Sequence, residues 1–383
     1  MNTFVKINLD LASKNVEEIV KKYPDYKYYI GVVKSDFYGH GIQIVNELIK
    51  GGINYLAVSY LDEALAIRKI SSIPILCLQP ISLDDIELAI ANNITVTVHD
   101  FDYFEKLNKL ELSNNLKIHL KIDSGMNRLG FKSESEIKTV VDEINNNEKL
   151  ILEGIFTHFA TSGLFDKHYD EQLNKFKKLT SLIDLSRIPI IHLGSSVIMV
   201  SHEKIPFATG IRMGILMYGY NISYIKNNKG IKNKIKNIRN SLLQRKISKT
   251  ITNVDINLHP LMSMQTKIIQ IKKVLKGEYI GYGAQYKASK DMIIAILPIG
   301  YANGIGHINN GRYVIINDKK YYAVGNIGMN MMAIEVDDKV NITDIVHILG
   351  NGITLGTLSR FEGKGIAETL INIGENNKRI YTK

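Results

Sequence analysis

Eight apolar runs, most of them separated by amphipathic helical patterns, fill the first 220 residues of this 383-residue chain. Most of the runs are near-continuous and rich in β-branched residues, as is typical of parallel strands covered on both faces. Eight β–α repeats predict a closed (β/α)8 barrel with an active site at the carboxyl ends of the strands. An open doubly wound sheet is the alternative, but no GxGxxG motif follows the first run. The predicted strands are residues 26–34, 54–60, 73–79, 94–100, 116–123, 150–159, 188–194 and 211–219.

The pattern changes after residue 250. Short apolar runs separated by Gly, Asn and Asp turns predict a C-terminal antiparallel β domain over residues 251–383. The isolated run FVKINLD predicts one more strand within residues 1–10, which either stays with the barrel or joins the second domain. We therefore expect an α/β chain with a barrel over 1–220 and a connector over 221–250 ahead of the second domain.

The net charge is concentrated in the connector. The chain has 48 Lys and Arg against 38 Asp and Glu, and residues 221–250 hold nine of the basic residues and no acidic residue. The remainder is nearly neutral, which argues against a nucleic-acid partner, since that needs basic side chains placed widely. The connector is predicted to form an amphipathic basic helix, which we expect to pack on the rest of the protein. Binding of this helix to a membrane surface or to an acidic partner is the alternative. Its apolar stripe is Ile231, Ile235, Ile238 and Leu242.

Cysteine content and segment hydropathy exclude several classes of protein. A single cysteine, Cys77, rules out an intrachain disulfide and a thiolate metal cluster, and no metal site is expected. The first residues lack the basic and apolar regions of a signal peptide. No apolar run approaches the length of about 18 residues that suggests a membrane-spanning helix. We expect a cytoplasmic protein.

A lysine ends the first predicted barrel strand. Lys34 lies in VVKSDFYGHG, between an apolar run and a glycine-containing loop. At the carboxyl end of a barrel strand it would point into the active site, where partial desolvation lowers the pKa of a lysine and allows it to form a Schiff base. An ordinary solvated lysine is the alternative, which the preceding apolar residues disfavour.

At KSDFYGHG the sequence resembles the alanine racemase family, the barrel-fold enzymes that use pyridoxal 5′-phosphate (PLP). Five further blocks resemble the family in the same order, so the resemblance covers nearly the whole chain. These blocks are HLKIDSGMNRLGF (119–131), THFATS (157–162) followed by Gln172 and Phe176, IRMGILMYG (211–219), GYGAQYKAS (281–289) and LPIGYANG (297–304).

The resemblance implies a racemase that inverts the α-carbon of an amino acid with one base on each face. Lys34 is implied to bind PLP and to act as one base, and Tyr282 is implied to act as the other. Free lysine and tyrosine have pKa values near ~10.4 and ~10, so both must be lowered for base catalysis at neutral pH.

The resemblance also implies contacts to the cofactor ring. His158 would lie beside Tyr282 and against the ring, and Arg212 would contact the pyridine nitrogen. Because arginine stays protonated, that nitrogen would stay mostly unprotonated and the ring would be a weaker electron sink. Without the surrounding blocks, a core histidine and a surface salt-bridge arginine are the alternatives.

Phosphate and substrate contacts follow from the same blocks. The phosphate is assigned by resemblance to Tyr38, Ser196, Gly214 and Ile215, with Ser195 replacing Ser196 if the alignment shifts by one. The substrate carboxylate is assigned to Arg128, Tyr301 and Met329, of which Arg128 also lies near the phenolic oxygen of the cofactor. Lys121 matches a lysine that is carbamylated in many members, and an unmodified Lys121 would repel Arg128.

The family resemblance further implies a homodimer with shared active sites, in which the domain carrying Tyr282 caps the barrel of its partner. Departures from the family pattern concern the substrate corridor and leave the substrate open. Residues 286–304 also resemble the catalytic domain of the serine racemases of vancomycin resistance. The departing positions are Asn326, Gly328, Asn330, His307 and Glu375.

We therefore expect a PLP-dependent racemase that acts on alanine and supplies D-alanine for peptidoglycan. A serine or broad-specificity racemase is the first alternative. A barrel-fold PLP decarboxylase is disfavoured by Tyr282 in GYGAQY, and a PLP homeostasis protein is disfavoured by the second domain. A catalytically inactive PLP-binding homologue is the remaining alternative outside the enzymes.

Overall fold

The computed structural model describes residues 3–161, 167–221 and 256–383. The chain divides into two compact units, which we call the barrel unit and the sheet unit. The barrel unit comprises Ser13–Lys34 and Val45–His259, and the sheet unit comprises Met1–Ala12, Ser35–Ile44 and Pro260–Lys383. Residues 35–44, which the sequence analysis places in the barrel segment, are thus grouped with the sheet unit. The basic connector and its predicted helix lie outside the described residues, apart from residue 221.

After a first strand, β1 (Thr3–Asn8), the next eight strands form a closed parallel barrel in which β9 pairs with β2. The predicted barrel is confirmed, although its strands are shorter than the apolar runs. The surplus residues, such as 157–159 and 214–219, form loops at the carboxyl ends. The barrel strands are β2 (Tyr28–Val32), β3 (Tyr55–Val58), β4 (Ile75–Cys77), β5 (Ile94–Val98), β6 (Leu116–Lys121), β7 (Leu150–Phe156), β8 (Ile190–His192) and β9 (Gly210–Met213).

Helices precede and connect these strands, and several begin at side-chain caps that the sequence supplies. Asp100 accepts a hydrogen bond from the backbone N–H of Tyr103, and Ser133 accepts one from that of Glu136. Such caps satisfy backbone donors that the first turn leaves free. The helices are Asp10–Lys22, Val45–Gly51, Leu61–Arg68, Ile86–Ala91, Phe101–Asn108, Glu134–Asn146, His168–Leu179 and Ser196–Ser201. No described helix is both long and apolar enough to cross a lipid bilayer.

The sheet unit is built on a nine-stranded sheet of order β11-β14-β17-β16-β15-β18-β10-β1-β19, with a separate β12–β13 hairpin. β1 lies between β10, to which it is antiparallel, and β19, to which it is parallel. Two helices, Leu355–Glu362 and Ile366–Glu375, precede the last strand. The strands are β10 (Met262–Lys267), β11 (Gln270–Val274), β12 (Tyr279–Ile280), β13 (Tyr286–Lys287), β14 (Met292–Leu297), β15 (Tyr313–Ile316), β16 (Lys319–Val324), β17 (Met332–Val336), β18 (Ile345–Leu349) and β19 (Arg379–Thr382).

A left-handed turn follows Lys34 directly. The four residues 35–38 all have φ between 46° and 57°, a conformation that is unfavourable by about 1–2 kcal/mol for each L-residue. Contacts within the sheet unit hold the turn: Arg379 pairs with Asp36 and donates to the carbonyl of Gly39 over 3.2 Å, and the Tyr381 hydroxyl donates to the carbonyl of His40. These contacts explain why residues 35–44 group with the C-terminal sheet.

Candidate active site

The carboxyl ends of the barrel strands carry a cluster of basic side chains. Lys34 follows β2 by two residues, Lys121 is the last residue of β6, and His158 follows β7 by two residues. Arg212 lies in β9. Since parallel barrel strands all end on the same face, these side chains meet at one rim. The charges of Arg212, Lys121 and Lys34 all act on the pKa of His158, which confirms their proximity.

Arg212 is buried, and its guanidinium is held by several acceptors. It donates through Nη2 to the carbonyls of Thr157, over 2.7 Å, and Leu193, over 3.0 Å. Nη1 lies 2.9 Å from Nδ1 of His192, and Nη2 lies 3.2 Å from Nδ1 of His158. Burial, with the charge of Arg128, lowers the pKa of Arg212 to about 9, so the side chain remains mostly protonated at neutral pH.

His158 is neutral at physiological pH. Burial and the charge of Arg212 lower its pKa to about 2. Because a guanidinium has no acceptor, a proton on Nδ1 of His158 would oppose the N–H groups of Arg212, which favours the ring proton on Nε2. Arg212 therefore determines which neutral tautomer of His158 is preferred.

Lys121 is buried among cations. Its Nζ lies 4.3 Å from the centre of the Phe156 ring. Burial and the charges of Arg212 and Arg128 hold its pKa well below the usual value, and Asp123 opposes this shift. Asp123 itself accepts backbone hydrogen bonds from Gly125 and Asn127, so its carboxylate also shapes the loop that leads to the exposed Arg128. The protonated form of Lys121 is therefore electrostatically unfavourable at this position.

Two barrel loops present hydroxyl and backbone groups. Ser196 is buried, begins the helix Ser196–Ser201, and accepts a 2.9 Å hydrogen bond from the backbone N–H of Gly214. Ile215 is also buried beside Gly214 in the chain. Ser195 lies one residue before the helix and makes no side-chain cap. The structure thus links Ser196, rather than Ser195, to the Gly214 loop.

The other candidate residues lie in the sheet unit. Tyr38 ends the left-handed turn, and burial raises the pKa of its hydroxyl. Tyr282 lies in the β12–β13 loop between two positive-φ glycines, Gly281 and Gly283, and is 73% exposed. Because Tyr282 is so exposed, no described residue of its own unit encloses its hydroxyl.

A cleft of about 370 Å³ runs beside Tyr282. Met329, 56% exposed, and Asn330 line it, and Gly328 lies under the Tyr282 ring. Asn326, another lining residue, donates to the Tyr282 carbonyl and to the side chain of Gln285, over 3.5 and 3.3 Å. Three of the departures from the family pattern therefore surround Tyr282.

Tyr301 lies on the segment that packs against residues 326–330. The backbone N–H of Tyr301 donates to the carbonyl of Gly328, and the Tyr301 ring meets the His307 ring edge-on at 5.7 Å. His307 is anchored by a 2.8 Å hydrogen bond between Nδ1 and the Ile327 carbonyl. Glu375 is exposed at the last position of the helix Ile366–Glu375.

Comparisons with known proteins agree with this architecture. The family model of the alanine racemase N-terminal domain matches residues 7–222, and that of the C-terminal domain matches residues 261–381. The chain belongs to the alanine racemase family. Within this family, alanine racemase 1 of Clostridium acetobutylicum is 32% identical over 99% of this chain and 95% of its own length.

Solved structures of alanine racemases superpose on the whole chain. That of Clostridium difficile 630 has a TM-score of 0.84 and 30% identity, and covers 100% of this chain and 96% of its own. That of E. faecalis has a TM-score of 0.86 and 27% identity, with coverage of 100% and 98%. A histidine racemase from Leuconostoc mesenteroides, with a TM-score of 0.83, 23% identity and coverage of 100% and 98%, shares the fold.

Some site residues of this alanine racemase family member escape sequence analysis. Gln172 is recognised only as part of a block, yet its side chain joins two loops. Its Oε1 accepts from the N–H of Ala160, and its Nε2 donates to the carbonyl of His158 and to Ser124. His119 is recognised only as the first residue of a block, and Glu153 is missed, although a polar residue within an apolar strand is a usable signal. Among the described residues, no group of three or more His, Cys, Asp or Glu is placed to hold a metal.

Proposed function

We propose that this protein is a PLP-dependent racemase that interconverts L- and D-alanine, and that the D-alanine serves peptidoglycan synthesis. One observation carries the proposal: in a member of the alanine racemase family, Lys34, His158 and Arg212 meet at the carboxyl rim of the barrel. The curated alanine racemases that match nearly the full chain support alanine as the substrate.

The residues of the barrel rim fit an anionic phosphorylated cofactor. Lys121 and His158 are each affected by several neighbouring cations and Arg212 by Arg128, and Asp123 is the acidic side chain that acts on Lys121. A negatively charged group would relieve this excess of positive charge. Lys34 would hold the cofactor, and the buried Ser196 hydroxyl with the Gly214 loop would take its phosphate. Contacts of Tyr38 and Ile215 with the phosphate stay predictions from the resemblance.

When bound, PLP supplies an electron sink that makes the Cα proton of an attached amino acid removable. The chain must then supply one proton-transfer group on each face of Cα. Lys34 would serve one face and Tyr282 the other. His158, held neutral by Arg212 and by burial, would add no positive charge to the ring, while Arg212 would donate a hydrogen bond without losing its proton.

Solvent exchange tests the reaction. In D2O, the wild-type protein should exchange the Cα proton of both enantiomers of alanine and interconvert them. Lys34→Ala should abolish the visible absorbance of lysine-bound PLP. Tyr282→Phe should keep that absorbance but exchange only one enantiomer, because one face has lost its base. Tyr279→Phe is the matched control, since Tyr279 lines the same cleft and is also exposed. If the wild-type protein shows the absorbance of lysine-bound PLP but exchanges the Cα proton of no amino acid, the racemase proposal fails and the protein is an inactive PLP-binding homologue.

We further propose a homodimer in which Tyr282 completes the active site of the partner subunit. The exposure of Tyr282, Met329 and Met331, at 73%, 56% and 57%, supports an apolar surface that needs a partner. Mixing Lys34→Ala with Tyr282→Phe protein tests it. In a mixed dimer one site would contain both intact bases, so random pairing should restore about one quarter of wild-type activity. If each site were built from a single chain, mixing would restore none.

Arg128, Tyr301 and Met329 are proposed to bind the substrate carboxylate, and Lys121 is proposed to be carbamylated. Carbamylation would convert a buried cation into an anion that pairs with Arg128. Mass spectrometry of the intact protein at neutral pH, compared with Lys121→Met, would detect the added group. A single unmodified species would contradict the modification.

Substrate choice remains the finer question, because amide and glycine residues surround Tyr282. Comparison of kcat/KM for L-Ala, L-Ser, L-Lys and L-Arg tests the alternatives. An acidic Glu375 would favour polar or basic side chains. A strict alanine preference that is unchanged in Glu375→Tyr would exclude that role for Glu375. The cytoplasmic location stays a prediction from the sequence.

A further inference from the structure

A line of buried polar side chains crosses the barrel from Arg212 to the middle of β7. Nη1 of Arg212 lies 2.9 Å from Nδ1 of His192, and Nε2 of His192 lies 2.9 Å from Nδ1 of His119. Nε2 of His119 lies 3.3 Å from Oε2 of Glu153. Both histidines are fully buried, so each ring nitrogen depends on its protein partner.

The chemistry of these groups allows one arrangement of protons along the line. A guanidinium only donates, so Nδ1 of His192 must accept. A neutral imidazole that accepts at one nitrogen carries its proton on the other, so Nε2–H of His192 donates to His119. By the same rule, Nε2–H of His119 donates to Glu153, and an ionised carboxylate only accepts. Burial lowers the pKa of both histidines, which keeps the rings neutral.

The surroundings of Glu153 keep it ionised, so that it can accept the last hydrogen bond of this line. The Tyr55 and Thr95 hydroxyls donate to its Oε2 over 2.6 and 3.0 Å, and Nζ of Lys117 lies 3.5 Å from Oε1. Burial opposes ionisation of Glu153, but the hydrogen bonds from His119 and Tyr55 outweigh it and lower the pKa to about 2. Glu153 therefore stays an acceptor throughout the physiological pH range.

The backbone around Glu153 is shaped for this contact. The pairing of β6 with β7 shifts register between Ile118 and His119, so that Ile118 faces Leu152 and His119 faces Gly154. Glu153 is the extra residue of this bulge, and bulges redirect side chains. A Cβ on Gly154 would lie 2.5 Å from the His119 ring, so a glycine there gives the imidazole its space.

We propose that Glu153 is a positioning residue for Arg212: by accepting the last proton of the line, it fixes the tautomers of His119 and His192 and keeps an acceptor facing the guanidinium. Without Glu153, Nε2–H of His119 loses its acceptor, and only the donor at the Arg212 end still orders the line. The His119 proton is then free to occupy Nδ1, where it opposes the N–H of His192 and competes with the order that Arg212 imposes. The effect on catalysis rests on the proposed racemase function, whereas the tautomers do not depend on it.

Histidine ¹⁵N NMR of the full-length protein reads the tautomers directly. In wild type, both rings should be neutral with the proton on Nε2, with resonances assigned from His119→Gln and His192→Gln. Glu153→Leu should change the tautomer of one or both rings, and Glu153→Gln, whose amide oxygen still accepts, should keep the wild-type pattern. A wild-type His192 protonated on Nδ1 would overturn the proposal even if Glu153→Leu does not fold.

Kinetics adds the second readout. If Arg212 loses the buried acceptor that faces its guanidinium, kcat/KM should fall by roughly fivefold to a hundredfold in Glu153→Leu, with Glu153→Gln close to wild type. Lys117→Met is the matched control, since it removes a partner of the same carboxylate but leaves the His119 bond in place. Unchanged tautomers in folded Glu153→Leu would refute the proposal. A wild-type protein without racemase activity would instead refute the proposed function, and the NMR result would still decide the role of Glu153.

Discussion

Gly374→Ala should disturb the turn that follows Lys34, although the substitution lies some 340 residues away in sequence. A Cβ on Gly374 would lie 2.0 Å from the carbonyl oxygen of Gly39, and one on Gly39 would lie 2.6 Å from the carbonyl oxygen of Leu370. Neither backbone can yield easily, because Arg379 also donates to the Gly39 carbonyl. The helix Ile366–Glu375 and the left-handed turn must therefore separate.

The net effect follows from two opposing contributions. Replacing glycine by alanine within a helix usually stabilises it by about 1 kcal/mol. Overpacking against the turn is unfavourable by about 1–3 kcal/mol, and by the upper part of that range when the neighbour is backbone. We expect Gly374→Ala to lower the free energy of unfolding by about 1–2 kcal/mol, which is roughly 2–8 °C in Tm for a unit of this size.

Gly356→Ala is the matched control, since Gly356 lies in the neighbouring helix Leu355–Glu362 with its nearest atom at 3.9 Å. It should be neutral or stabilising. Differential scanning calorimetry would give Tm, and titration with PLP, followed by visible absorbance, would give the Kd, which should rise only in Gly374→Ala. Equal Tm and Kd in the two variants would refute the view that this contact holds the lysine turn.

Three further outcomes are expected. Burial lowers the pKa of His40 to about 4. As pH falls, the unfolded chain therefore binds a proton at His40 before the folded chain does, and the free energy of unfolding decreases between about pH 6.5 and pH 4. The pH dependence of Tm should flatten in His40→Gln. Arg312→Met leaves Glu362 buried without its 2.7 Å partner and should lower the free energy of unfolding by about 3–5 kcal/mol. Replacing Arg312 and Glu362 together by Met should restore stability, and urea unfolding of the single and the double variant measures the two effects. Arg379→Met removes two contacts to the turn and should weaken PLP binding several-fold, measured by the same titration.

The fold was largely predictable because its strongest signals are periodic. Eight apolar runs correspond to β2–β9, and the Gly- and Asn-separated runs correspond to the strands of the C-terminal sheet. Boundaries were less predictable, since an apolar run such as 150–159 continues past Phe156, where the strand pairing stops. Beyond that point, the polarity of a side chain depends on the site that it lines. The local sequence pattern therefore does not show where the strand ends.

The left-handed turn could not be predicted from residue types. Ser35, Asp36, Phe37 and Tyr38 are ordinary L-residues, for which positive φ is unfavourable, and the contacts that hold them come from residues 370–381. The local sequence around residues 35–38 does not indicate such long-range contacts. The grouping of residues 35–44 with the sheet unit follows from the same contacts and was missed for the same reason.

Some residues of the candidate site could likewise be predicted from the sequence, and others could not. The sequence points to the rim residues Lys34, His158 and Arg212 because each lies in or next to an apolar strand within a recognisable block. Glu153 was missed because its position depends on a bulge between two strands, and a bulge has no reliable signature in a single sequence. The direction of the hydrogen-bond line is decided by donor chemistry once the neighbours are known.

The placement of β1 between β10 and β19 has a consequence for the order in which the protein matures. During synthesis from the N-terminus, the barrel strands are complete long before residues 366–382 emerge, and domains generally fold as their residues become available. The turn after Lys34 gains its partners Leu370, Gly374 and Arg379 only when those residues have been synthesised. Under the proposed function, Lys34 would therefore become able to hold the cofactor only after the barrel strands have formed.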